Sequence, residues 1–213
     1  MKFSIRTFVL FFILISYTNY AQFNVDKSSI EIGYGYDGAI APYNKIFKSN
    51  FSSMNHFNVA FRYMFTEKIG AKLFYKSDKF VNDPKGPYGV NYNTLGASLV
   101  YNVGKDLGLN FLTRDKFSAL THLDGGVSFA YLIGKNTYEK VGVIGVGITP
   151  MYALSNKLAI TTDFTYNTTL KQHYGFDGVL LDPNYKPQSG SFYNFSIGLI
   201  FYLGENRYHS DWY

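Results

Sequence analysis

Seven ionisable residues could act together if the fold gathers them: Glu31, Arg62, Lys72, Lys76, His122, Asp124 and Asp163. His122 and Asp124 lie two positions apart, so an extended chain points both side chains to one side. A histidine beside a carboxylate is half of an acyl-transfer site, and Ser98 or Ser128 could supply the nucleophile. A second pair, His173 and Asp177, falls in a long polar stretch. Neither pair sits in a recognisable hydrolase signature. The other reading is electrostatic. Three bases, three acids and a histidine can neutralise one another in a confined interior, where an unpaired ion is costly.

Other chemistries have little support. The chain has no cysteine, which excludes thiolate catalysis, disulfides, Cys-ligated zinc and an acylated lipoprotein anchor. Its four histidines are dispersed and show no metal-ligand spacing. Gly142-Val-Ile-Gly145-Val-Gly147 imitates a nucleotide loop, but no helix pattern follows it. No cofactor or metal is expected.

The elements that carry these residues have a period of two. Ile30, Ile32, Tyr34 and Tyr36 alternate with Ser29, Glu31, Gly33 and Gly35. The same alternation recurs around Phe57–Phe65, Ile69–Tyr75, Leu95–Tyr101, Phe117–Tyr131, Ile144–Tyr152, Leu158–Tyr166 and Tyr193–Phe201. These segments predict eight β-strands, many near the length of about 10 residues that a tilted strand needs to cross a bilayer. One face carries Phe57, Phe61, Phe129, Phe164, Phe195 and Phe201 among many aromatics. That bulk does not fit inside eight strands, whose interior only just holds ordinary side chains. The opposite face is small or polar, with Gly96, Gly126, Gly145, Gly147 and the seven ionisable residues. The aromatic face therefore points outward to lipid, and the ions point into the lumen.

The fold class predicted is all-β: an eight-stranded antiparallel transmembrane β-barrel with both termini periplasmic. In that frame Tyr34, Tyr36, Tyr75, Tyr131, Tyr166 and Tyr193 form an outer aromatic girdle, and Tyr63, Tyr101 and Tyr152 a periplasmic one. Residues 66–70 and 153–157 are expected to be short periplasmic turns. Residues 37–55, 79–91 and 168–190 are expected to be long extracellular loops. The long segment 104–116 is expected to cover the lower rim.

Composition agrees. Only 16% of the 213 residues are charged, against roughly 25% in an average soluble protein, while 19% are aromatic. Mean hydropathy is −0.09, far below that of a helical membrane protein. Met1 to Ala21 reads as a signal peptide: Lys2 and Arg6, the apolar run Phe8–Ile15, and a cleavage point near Ala21-Gln22. Losing Lys2 and Arg6 lowers the formal charge from +5 to +3, too mild to argue for nucleic acid. The organisation expected is a signal peptide at 1–21, a barrel at 22–204 and a short periplasmic tail at 205–213.

Several motifs resemble the N-terminal barrel of OmpA-family outer-membrane proteins of Bacteroidota. They are Arg62-Tyr-Met-Phe65 with Glu67-Lys-Ile-Gly70, Gly147-Ile-Thr-Pro-Met151, and Ser196-Ile-Gly-Leu-Ile-Phe-Tyr-Leu-Gly204 with His209-Ser-Asp-Trp-Tyr213. The resemblance covers most of the mature chain and implies a linker and a peptidoglycan-binding domain after the barrel. These residues contain no such domain, so the tethering role is not carried over. Either a barrel-only relative or a piece of a longer protein is expected. The function expected is a non-catalytic structural barrel of the outer membrane, touching lipid and lipopolysaccharide, and an accessory subunit to other outer-membrane proteins. The alternatives are a small porin-like channel and a lipid-modifying enzyme.

Overall fold

An alternating sequence forms strands when one face meets an apolar medium and the other a packed interior. The computed structural model describes residues 25–42, 51–81, 88–204 and 209–212, so the signal-peptide segment lies outside the described residues. A single 3-10 turn at Val25–Lys27 leads into β1 (Ser28–Ala41). Then follow β2 (Ser52–Met64), β3 (Ile69–Val81), β4 (Gly89–Tyr101), β5 (Phe117–Leu132), β6 (Tyr138–Ser155), β7 (Leu158–Gln172) and β8 (Gln188–Tyr202). Each strand pairs antiparallel with the next, and β8 pairs with β1 to close an eight-stranded barrel. Closure leaves no open sheet edge, the condition for β-structure in hydrocarbon.

The outward face is apolar and exposed. Leu73 is 65% exposed, Leu99 63% and Val146 58%, with Ile160 and Leu199 at the same level of the wall. A continuous belt of this kind is unstable in water and suits lipid. No helix among the described residues is long and apolar enough to cross a membrane.

The strands run 13 to 18 residues, longer than a bilayer requires. Residues 37–41, 52–55, 79–81, 89–91, 168–172 and 188–190, read from sequence as loop, are strand. Those segments mix small and polar residues such as Gly38, Ser52, Ser53 and Asn91 with the larger ones. The hydrophobic alternation fades there while the hydrogen-bonded ladder continues. The turns are correspondingly tighter: Ile69 and Gly70 belong to β3, and Ala153 to Ser155 to β6. Pro150 pairs with Ala119 of β5, but the β6–β7 ladder lapses between Ile148↔Phe164 and Met151↔Thr161. A missing N–H has that consequence within a sheet.

Glycine makes room where inward side chains lean across a neighbouring strand. A Cβ at Gly147 would stand 2.4 Å from His122 Nε2, and one at Gly96 would stand 2.5 Å from the Phe74 ring. At the end bearing both termini, two one-turn helices link β4 to β5: α1 (Val103–Asp106) and α2 (Leu109–Leu112). They occupy the segment expected over that rim.

Candidate functional site

The lumen holds the ionisable residues, and it is layered. All seven predicted residues face inward. Arg62, Lys72, Lys76, His122, Asp124 and Asp163 are buried, and Glu31 is half-buried. They form two groups.

The first group surrounds Arg62. The β2–β3 register sets Arg62 directly across from Lys72, an arrangement of like charges that is unfavourable by itself. Glu31, from β1, reaches both: Arg62 Nε donates to its Oε1 at 2.6 Å, and Lys72 Nζ lies 3.5 Å from its Oε2. Arg62 keeps two further donors. Nη1 and Nη2 donate to Oδ1 and Oδ2 of Asp211, each at 2.7 Å. Such two-pronged pairing is the geometry guanidinium prefers. The partner acid for Arg62 is thus double, and Asp211 comes from the tail.

The second group lies farther along the lumen. Lys76 Nζ donates to Asp124 Oδ2 at 2.7 Å. His122 bridges two carboxylates, with Nδ1 2.7 Å from Asp124 Oδ1 and Nε2 3.0 Å from Asp163 Oδ2. Thr149 and Thr165 donate to Asp163 at 2.6 and 2.7 Å. Both ring nitrogens of His122 are therefore occupied by carboxylates. Neither turns to Ser98 or Ser128, whose buried hydroxyls find no hydrogen-bond partner among the described residues. The other candidate pair is also engaged elsewhere. His173 Nδ1 lies 3.1 Å from Glu139 Oε2, and Asp177 accepts the Val179 amide. The arrangement provides charge neutralisation, not an activated hydroxyl.

Sequence reasoning missed a third polar layer toward the opposite end. His56 Nδ1 lies 2.5 Å from Asp78 Oδ1, Asn194 Nδ2 donates to the same oxygen at 2.7 Å, and Asn167 donates to Asn194. Asp37 accepts the backbone amides of Ser53 and Lys79. Reading 37–55 and 79–91 as loop hid Asp37 and its partners. Asp78, just before the second span, was identifiable from the inward phase of Lys72 and Lys76.

Large apolar side chains close both ends, where the sequence reading expected a small or polar lumen throughout. Away from the termini, Phe51, Phe80, Tyr92, Phe176 and Phe192 cluster, with Phe80 to Phe176 ring centres 4.7 Å apart. Phe80, Tyr92 and Phe192 point inward from strands, while Phe176 folds in from the β7–β8 connection. At the termini end, Met64, Met151, Ile200, Tyr202 and Trp212 pack together. Residues 209–212 of the expected tail thus lie in the barrel mouth. Asn110 of α2 donates to the backbone oxygens of Asp211 and Trp212, and Asn102 donates to that of Asp211. Burial alone would raise the Asp211 carboxyl. The Arg62 guanidinium, with His209 assisting, overcomes this and holds it well below the ordinary carboxylate range.

The girdle candidates face outward in two groups. Tyr34, Tyr36, Tyr75, Tyr131, Tyr166 and Tyr193 lie toward the end away from the termini; Tyr36 and Tyr193 rings stand 6.0 Å apart. Tyr63, Tyr101 and Tyr152 lie at the termini end, each in the last turnward stretch of its strand.

No protein-family model and no curated protein matches the chain. Solved structures do. Neisserial surface protein A superposes with a TM-score of 0.57 at 12% identity, over 83% of this chain and 97% of that one. OprG from Pseudomonas aeruginosa gives a TM-score of 0.46 at 11% identity, over 84% and 97%. Ail of Yersinia pestis gives 0.43 at 15%, over 82% and 97%. The first of these likenesses carries the fold: the chain is an eight-stranded barrel of the outer-membrane kind.

Proposed function

We propose that this protein is a non-catalytic, non-conducting structural barrel of the bacterial outer membrane. The observation that carries the reading is the closed lumen. The Arg62–Asp211 pair and the Trp212 cluster stop one mouth, the Phe80–Phe176 cluster stops the other, and between them Lys72 pairs with Glu31, Lys76 with Asp124, and His122 with Asp124 and Asp163. A confined interior filled in this way adds rigidity without a path or a reactive group. The sequence at 1–21 supports export with cleavage near Ala21-Gln22, and the first strand then leaves the periplasm, which keeps both termini there. The outward belt supports contact with lipid and lipopolysaccharide. The motifs that resemble OmpA-family barrels support a place among such proteins.

Planar-bilayer recording tests the reading. The intact protein gives no steady single-channel steps; reproducible ohmic steps would establish the channel instead. A change in lipid A or phospholipid mass on overexpression would point to lipid-modifying chemistry. We propose further that the barrel serves as an accessory subunit of larger outer-membrane machinery. Native detergent purification followed by mass spectrometry of co-purifying proteins tests that part.

A further inference from the structure

The segment between β4 and β5 displays apolar side chains that the barrel does not use. Phe111 is 87% exposed, Leu112 73% and Leu107 61%; the first two exceed Leu73, at 65% the most exposed of the belt positions named above. The rest of the segment is firmly tied. Asn102 and Asn110 point inward and hold the tail. Lys105 Nζ lies 2.8 Å from Glu67 Oε2, and Lys68 pairs with Asp106. Thr113 Oγ1 donates to the Leu109 carbonyl at 2.7 Å and accepts the Phe117 amide at 2.9 Å. Arg114 and Asp115 both adopt left-handed backbone angles, φ 53 and 58, which non-glycine residues rarely take. The Asp115 amide is held on the Asn110 carbonyl at 2.7 Å. A segment fixed this closely presents Phe111 and Leu112 by construction.

Its position identifies what covers it. Tyr101, the outward-facing last residue of β4, donates its hydroxyl to Asp106, so α1 sits at the level of the termini-end girdle. Phe117 and Tyr152, paired across β5 and β6, lie at the same level. Leu107, Phe111 and Leu112 are therefore displayed near the level of that girdle, with Phe111 beside Asn110, Arg114 and Trp212 at the rim of the mouth. Exposed Arg114 and Lys116 flank them, the cation-plus-aromatic mixture that suits a phospholipid interface. We infer that α1 and α2 form a ledge that beds into the headgroup–acyl boundary of the phospholipid leaflet at the termini end. Leu107, Phe111 and Leu112 enter the apolar side, and Arg114 and Lys116 meet lipid phosphates. The inference rests on the reading of the barrel as transmembrane.

The absence of cysteine allows single nitroxide labels. Leu107→Cys, Phe111→Cys and Leu112→Cys would be labelled one at a time in the full chain. Each is reconstituted in vesicles of phosphatidylethanolamine and phosphatidylglycerol. Leu99→Cys marks the belt and Asn156→Cys the exposed β6–β7 turn at the same end. Collision with oxygen is compared with collision with a water-soluble nickel chelate. The ledge labels should have oxygen-to-nickel ratios between those of Leu99→Cys and Asn156→Cys. If they match Asn156→Cys while Leu99→Cys stays oxygen-rich, the ledge lies in water and the inference is overturned. If Leu99→Cys is itself open to nickel, the transmembrane reading fails first and takes the ledge with it.

Discussion

Arg62 on β2 and Asp211 in the C-terminal tail, 149 positions apart in sequence, meet in a two-pronged ion pair with both contacts at 2.7 Å. Neither side chain is exposed to solvent. The pair ties the tail to the wall of the barrel, and it changes what each substitution at the lumen should do.

Arg62→Leu would leave two acids, Glu31 and Asp211, without their principal cation. An uncompensated buried charge costs about 3–5 kcal/mol. Removing Glu31 as well relieves only part of this, because Asp211 is the more buried partner. The expected order of stability is therefore Arg62→Leu lowest, then Arg62→Leu with Glu31→Leu, then Arg62→Leu with Asp211→Leu. Urea unfolding of the folded barrel in a defined bilayer, analysed as double-mutant cycles, reads the order. Strictly additive effects would show that the ions are not coupled and would weaken the closed-lumen argument.

The docked tail should be acid-labile. The Asp211 carboxyl is held below its ordinary value, so its contribution is fully present above the unfolded carboxylate pKa of about 3.9 and fades as pH falls below it. Arg62, His209 and Tyr202 face this group. Trp212 is the only tryptophan in the chain and is buried, so its emission reports the mouth alone. A red shift is expected below about pH 4. In Asp211→Ala the emission should already be red at neutral pH. Emission that ignores both changes would mean that Trp212 is held without the ion pair.

The two faces of β8 should respond oppositely. Leu199 points outward within the belt, whereas Ser196 is buried in the lumen. Leu199→Arg should destabilise by about 2–4 kcal/mol if it sits at the bilayer midplane. Ser196→Ala should cost much less. Equal small effects in bilayer unfolding would contradict the inside–outside assignment.

Orientation is testable on cells. Asn184 lies exposed in the connection between β7 and β8, at the end opposite the termini. An epitope inserted there should be labelled on intact cells. Labelling only after lysis would reverse the proposed topology.

The aromatic stopper offers an independent check on the lumen. Phe176 is fully buried against Phe80, Tyr92 and Phe192. Phe176→Ala should cost about 3–5 kcal/mol through lost burial and the cavity left behind. Unfolding midpoints unchanged by this substitution would show that the connection does not pack into the barrel.

Much of the architecture is written in the period of the sequence. The alternation of Ile30, Ile32 and Tyr34 with Ser29, Glu31 and Gly33 assigns each side chain to lipid or lumen, because a strand has only two faces. That rule is enough to place Glu31, Arg62, Lys72, Lys76, His122, Asp124 and Asp163 inside. It also worked without a long-range signal, since each hairpin joins sequence neighbours. The pairing of those ions was another matter. Which acid meets Arg62 depends on strand stagger and on a tail that re-enters the barrel after β8, and no local pattern records either. Phe51 and Phe176 escaped for the same reason, lying outside the strands where no alternation marks a direction. The strand residues from Asp37 to Ala41 are mostly small, with Gly38, Ala39 and Ala41 breaking the alternation of large apolar and polar side chains, although their ladder bonds persist. Local periodicity therefore decided the faces of the barrel, while tertiary closure decided what fills it and what seals its ends.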